Sequence, residues 1–115
     1  MGDLADVRTA ALPHDLPMTY VLITTTTAGR YEDYEQVLTV LPTTRPEGLI
    51  ARFAGMSDRG LTITAVWESK EHSDRFGAEA LWPALQTVVG PRVGEGEQVV
   101  LQYDARDVEV VATTP

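Results

Sequence analysis

Residues 48–76 read GLIARFAGMSDRGLTITAVWESKEHSDRF. Apolar residues alternate with polar or small ones on both sides of the segment 57–60. This pattern predicts a β-hairpin in which Gly60 supplies the positive φ that such a turn needs. Trp67 closes the apolar face of the second strand, and Ser69 suits the N-cap of a helix that begins directly afterwards. The stretch therefore predicts strand, turn, strand and helix, with an indole where strand meets helix.

Further elements flank the hairpin. Residues 18–27, MTYVLITTTT, are rich in β-branched and aromatic side chains and predict a strand. Apolar residues recur every three or four positions over 29–41, which predicts an amphipathic helix that ends before a proline. The second helix runs on through Pro83, where we expect a kink or a restart. Residues 99–103 alternate again and predict the last main strand.

This order of elements is that of a ferredoxin-like βαββαβ domain of the α+β class, with an antiparallel sheet and both helices on one face. The other face is expected to be too apolar for water, so a second copy of the chain should cover it as a homodimer. Arg52 is accordingly expected in an ion pair between subunits. The alternation places on this outer face Val21, Ile23, Ile50, Val66 and Val100 beside Arg52, Thr62, Thr64 and Gln102.

The chain divides into three segments. We predict an N-terminal tail or arm over residues 1–17, the α+β domain over 18–103, and a C-terminal extension over 104–115. Val108, Val110 and Val111 suggest a further strand in the extension, which is expected to contact the partner chain. No apolar run is long enough to span a membrane, and the first residues lack the pattern of a secretory signal, so we expect a cytoplasmic protein.

The composition excludes several classes of function. The 115 residues carry 17 acidic and 9 basic side chains, a net charge of −8 that disfavours nucleic acids and membranes as partners. The chain has no cysteine, which excludes thiolate metal sites and cysteine nucleophiles. It has two histidines, and no glycine-rich loop stands between a strand and a helix. We therefore expect no metal and no cofactor.

A resemblance to a known family rests on two motifs. The segment 66–76, VWESKEHSDRF, and the later ALWPAL at 80–85 resemble antibiotic-biosynthesis-monooxygenase-type domains of the dimeric α+β-barrel superfamily. The shared features are a tryptophan near the end of the third strand, Glu-Ser opening a helix, a later aromatic residue and a Pro-Ala-Leu. The resemblance covers residues 18–103.

The resemblance implies a dimeric α+β barrel with a pocket between helices and sheet, walled in part by Trp67. It also implies cofactor-independent oxygenation of an aromatic or polyketide-type molecule in secondary metabolism. In such oxygenases an asparagine, the tryptophan and an arginine are implicated, and this chain contains no asparagine. The haem-degrading branch has a histidine where this chain has Gly77, so haem degradation is disfavoured.

Two residues are candidate catalytic groups. Trp67 follows from the resemblance, and His72 is a residue type suited to a general base and lies near the start of the second helix. Each also suits a structural role. The candidate substrate-binding residues are aromatic. Among them, we expect Phe53 to neighbour Trp67 from the adjacent strand of the hairpin. These candidates are Tyr20, Tyr34, Phe53, Trp67 and Phe76.

Two further functions stay open beside the oxygenase. The same pocket could serve a polyketide cyclase, with His72 or a tyrosine handling the proton. The chain could also be a ligand-binding dimer without catalytic activity.

Overall fold

The computed structural model describes residues 19–109, in which four strands form one sheet. All three strand pairs are antiparallel, and the order across the sheet is β2-β3-β1-β4. This is the ferredoxin-like arrangement that the sequence predicts. The elements are β1 (Thr19–Thr26), α1 (Tyr31–Val40), β2 (Leu49–Ser57), β3 (Gly60–Trp67), α2 (Lys70–Phe76), a π-helical turn (Gly77–Leu81), α3 (Trp82–Val88), a 3-10 turn (Gly90–Arg92) and β4 (Gln98–Ala105).

The described residues include only part of the three predicted segments. The tail over residues 1–17 lies outside the described residues. β4 continues to Ala105, two residues past the predicted end of the domain at 103. The further strand predicted around 108–111 is not present at 108 and 109, and the rest of it falls outside the described part of the chain.

Local signals place the helix ends as predicted. Leu41, the residue before Pro42, is extended with ψ 154°, which ends α1. Ser69 caps α2, because its Oγ accepts a hydrogen bond from the His72 amide at 3.2 Å. Pro83 lies in the first turn of α3, and the turn before it is π-helical, with the Trp82 amide donating to the Gly77 carbonyl. In place of the kink or restart predicted at Pro83, the helix continues through a widened turn, because Leu81 and Trp82 keep helical dihedrals.

A β-bulge changes the faces of β2. Leu49 pairs with Trp67, but Ala51 pairs with Val66, so the register shifts between Leu49 and Ala51. Because one extra residue turns every following side chain to the opposite face, Arg52 lies on the helix side of the sheet and Phe53 on the outer face. The expectations that Arg52 lies on the outer face and that Phe53 neighbours Trp67 are both wrong.

The faces of β4 also differ from the prediction. Val100 pairs with Thr24 and Gln102 with Leu22, which puts both on the helix side. The outer face instead receives the more apolar set from this strand. That set is Val99, Leu101 and Tyr103, all exposed.

The core lies between the sheet and the helices. Tyr20, Ala65 and Trp67 form its buried centre, and Leu22, Leu49 and Phe76 pack against them. Val37 of α1 and Ala84 of α3 are also buried and bring both helices onto the same face of the sheet. None of the helices within residues 19–109 is both long and apolar enough to cross a membrane.

Candidate functional site

A cavity of about 560 Å³ opens between the helices and the sheet. Its lining is mainly apolar, which is typical of sites for small organic molecules. The floor consists of side chains from the centre of the sheet: Leu22, Thr24, Leu61, Ile63 and Ala65. The walls come from the helices and include Tyr34, Val37, Leu38, Leu41, Phe76, Leu81, Trp82, Leu85 and Val89.

Trp67 forms one wall of this cavity. Its side chain is nearly buried, with 3% of its surface exposed, and its ring centroid lies 5.4 Å from that of Phe76 in a tilted arrangement. Its Nε1 is the one buried side-chain polar atom in residues 19–109 that lacks a hydrogen-bond partner. An unmade hydrogen bond on a buried donor is costly, so the indole is held there without full compensation from the protein.

The other aromatic candidates divide between three places. Tyr34 and Phe76 line the cavity together with Trp67. Tyr20 packs beside Trp67 in the core and does not line the cavity; burial raises the pKa of Tyr20, so its phenol stays protonated and donates to Gln102 Oε1. Phe53 lies on the outer face and is 64% exposed.

His72 lies outside the cavity, in an open groove beside it. The groove runs along α2 and the segment 41–47, and His72 is part of its lining. Its Nδ1 is 2.7 Å from Ser69 Oγ and its Nε2 is 3.8 Å from Glu47 Oε1. The ring also lies against Gly48, whose φ is +85° and where any Cβ would overlap the imidazole. These contacts hold the ring at the end of the helix, away from the cavity.

Arg52 lies where the cavity and the groove meet. It lines both of them, as do Leu38, Leu41 and Phe76. Its guanidinium carbon is 6.0 Å from the centroid of the Tyr34 ring, within the range of a cation–π contact. The alternation of β2 did not predict Arg52 as a site residue, because it does not reveal the bulge that turns Arg52 towards the helices.

An ion pair borders the other end of the cavity. Arg92 donates two hydrogen bonds to Asp33, at 2.9 and 3.2 Å, and both residues line the cavity. The hydrogen bonds from Arg92 are the main cause that lowers the pKa of Asp33, so the carboxylate stays ionised at neutral pH. Asp33 is buried, and it is not among the site residues predicted from the sequence. Its spacing of four from Val37 is the signal that could have found it.

The described residues offer no arrangement for a metal ion. Within 19–109, no three His, Asp or Glu side chains are grouped so that they could bind one. The polar groups of the cavity are instead single hydroxyls, the Gln98 amide and the charged residues at its ends. The site is therefore suited to holding an apolar molecule by shape.

No protein-family model matches the sequence, and no curated protein matches it significantly. A crystal structure of a mutant of SnoaB, a cofactor-independent oxygenase from Streptomyces nogalater, is similar with a TM-score of 0.53 and 16% identity, over 78% of this chain and 94% of that chain. The solution structure of a hypothetical Arabidopsis thaliana protein gives a TM-score of 0.46 at 16% identity, over 82% of this chain and 92% of that one. At this identity, the likeness to the SnoaB structure shows that the two chains share the fold.

Proposed function

We propose that this chain is a cofactor-independent monooxygenase that acts on an aromatic or polyketide-type substrate. The observation that carries the proposal is the apolar cavity of about 560 Å³ beside Trp67. Its volume lies within the range of roughly 300–1,000 Å³ that is usual for small-molecule sites. The walls present Trp67, Tyr34 and Phe76 to a bound molecule, and flat aromatic rings suit such surfaces.

The polar groups favour oxygenation over acid–base cyclisation. The two carboxylates that line the cavity, Asp33 and Glu95, are both close to Arg92 at one end. Of the predicted proton handlers, His72 lines the groove instead, and Tyr34 is the tyrosine that lines the cavity. A substrate that supplies its own electrons to dioxygen needs little more from the protein than orientation and exclusion of water. SnoaB, which shares the fold, is described as a cofactor-independent oxygenase, and this supports the same reaction class.

In the proposed reaction, an activated CH₂ group of the substrate reacts with dioxygen. One oxygen atom becomes a ketone oxygen and the other leaves as water with the two hydrogens of the CH₂, so atoms and electrons balance. The substrate is the reductant. The cavity holds the ring system against Trp67 and shields the reacting carbon from bulk water.

Oxygen uptake tests this proposal. With the tricyclic anthrone dithranol as probe, we expect dioxygen consumption above the rate of spontaneous oxidation, with one quinone formed per dioxygen. Ala65→Phe should abolish this rate, because Ala65 lies in the floor of the cavity between Leu22 and Arg52. Ala78→Phe places the same side chain at an exposed position outside the cavity lining and should keep the rate.

Other outcomes point to the alternatives. A cyclised product without oxygen uptake would replace the oxygenase by a cyclase. Binding of the probe without turnover would indicate a ligand-binding protein. Because both tryptophans of the chain, Trp67 and Trp82, line the cavity, intrinsic fluorescence reports binding directly.

We further propose that the chain forms a homodimer through the outer face of the sheet. Phe53, Leu101 and Tyr103 are exposed there by 64, 56 and 51%. In β4 the outward residues are Val99, Leu101 and Tyr103, whereas Gln98, Val100, Gln102 and Asp104 face the helices. An edge strand that turns its more apolar side away from its own core indicates that another surface covers that side.

The assembly prediction is tested with Leu101→Glu. Light scattering should give about 25 kDa for the wild type, twice the chain mass of 12.6 kDa, and the monomer mass for the variant, since a charge at the centre of the interface is desolvated without a partner. Val40→Glu is the control, because Val40 is also exposed but belongs to α1 on the other side of the sheet. A wild-type monomer at micromolar concentration would remove the interface.

A further inference from the structure

The groove beside the cavity is lined by more basic than acidic side chains, whereas the whole chain has more acidic than basic ones. The whole protein has almost twice as many acidic as basic side chains, 17 against 9. The groove lining contains Arg45, Arg52 and Arg75 against Glu47 and Glu79. A basic concave surface on an acidic protein attracts anions locally and repels them elsewhere.

These three arginines are not neutralised by ion pairs. Across residues 19–109, the ion pairs of arginine and lysine involve Arg30, Lys70 and Arg92. Arg52 has a cation–π contact with Tyr34, and its guanidinium donors make no hydrogen bond to another residue within 19–109. An unpaired guanidinium offers a planar fork of donors that matches a carboxylate.

The cavity and the groove adjoin each other. They share four lining residues, and Arg52 is the charged one among them. Arg52 pairs with Ala65, two residues before Trp67 on the same face of the sheet, so a ring system beside Trp67 would lie near the Arg52 side chain.

We propose that the groove is an anion-binding subsite, and that the ligand of the cavity carries a carboxylate at the end that reaches Arg52. This inference rests on the proposed function, because it describes the substrate of the same site. In this proposal, Arg52 selects ionised aromatic substrates over neutral ones. Arg45 and Arg75, farther along the groove, contribute to the attraction over a longer range.

Two matched probes test the subsite by titration calorimetry: an anthracene carboxylate and the corresponding anthracene carboxamide. The wild type should bind the carboxylate about tenfold more tightly, the factor expected for one charge-assisted hydrogen bond. Arg52→Gln should reduce this preference to about twofold or less, because the carboxylate loses a charge-assisted hydrogen bond that the carboxamide does not make. Arg59→Gln is the matched control, because Arg59 is exposed in the β2–β3 turn and lines neither the cavity nor the groove. The preference should also decline as salt is added.

The outcomes separate this inference from the proposed function. Equal binding of both probes to the wild type would overturn the anion subsite and leave the cavity as a ligand site. Binding of neither probe would overturn both. If Arg52→Gln weakened both probes equally, Arg52 would act on the shape of the site and the charge-based role would be wrong. The comparison of probes on the wild type does not depend on the stability of any variant.

Discussion

Trp67→Ala is expected to lower the free energy of unfolding by about 3 kcal/mol, at the lower end of the range for buried aromatic residues. The side chain is almost fully buried and packs on Tyr20, Ala65 and Phe76. One side of the indole already borders the cavity, so fewer contacts are lost than in a solid core. Urea denaturation at a fixed protein concentration measures the change.

Trp82→Ala is the matched control. Trp82 also lines the cavity but is 48% exposed, so its truncation should cost about 1 kcal/mol or less. Similar costs for the two variants would contradict the assignment of Trp67 to the core wall of the cavity.

Trp67→Phe separates packing from function at the same position. Phenylalanine keeps much of the buried volume and removes the indole N–H that has no acceptor, so the stability cost should stay below about 1.5 kcal/mol. If Trp67 contacts the substrate, binding or turnover should nevertheless fall markedly. Calorimetry is the suitable readout, because the substitution removes one of the two tryptophans. A variant with unchanged activity would indicate that Trp67 is only a structural residue.

Gly60→Ala is expected to destabilise the fold by about 3 kcal/mol, mainly from backbone strain and overlap. Gly60 has φ +134°, a conformation that residues with a Cβ rarely adopt. An added Cβ would also overlap the carbonyl oxygen of Thr26 and lie 2.8 Å from the Cα of Thr27. Both are backbone atoms at the end of β1, so neither can move aside as a flexible side chain could.

Gly55→Ala tests whether this effect is specific to the turn. A Cβ at Gly55 would meet no atom within 4 Å, and its φ is not positive. The change should therefore stay within about 0.5 kcal/mol of the wild type. An unchanged urea midpoint for Gly60→Ala would show that the turn is not built in this way.

The hairpin and the helix boundaries could be predicted because their signals are local. Gly60 and Ser69 each act within one turn of the chain, through a positive φ and a capping hydroxyl. The alternation of β3 likewise predicts the apolar face that carries Trp67, since β3 pairs with β1 without a register shift. These elements in order are sufficient to predict the ferredoxin-like sheet.

The composition of the site could be predicted only in part. Trp67, Tyr34 and Phe76 do line one cavity, but Phe53 faces the opposite way and His72 lies in the groove. A bulge of one residue inverts the faces of a strand, and the consecutive apolar residues Leu49, Ile50 and Ala51 fit a bulged and an unbulged strand equally well. The error at Phe53 and the error at Arg52 therefore have a single cause.

The sequence by itself determined the order and type of the elements, the apolar face of β3 and the position of Trp67 at its end. Tertiary structure alone decided that Arg52 joins the cavity and that Asp33 binds Arg92, 59 residues away in the chain. The periodicity of the sequence shows which residues share a face of one helix or strand, and it gives no information about contacts between elements. Which residues meet across two elements depends on strand register and helix placement, and these are settled by how the whole chain packs.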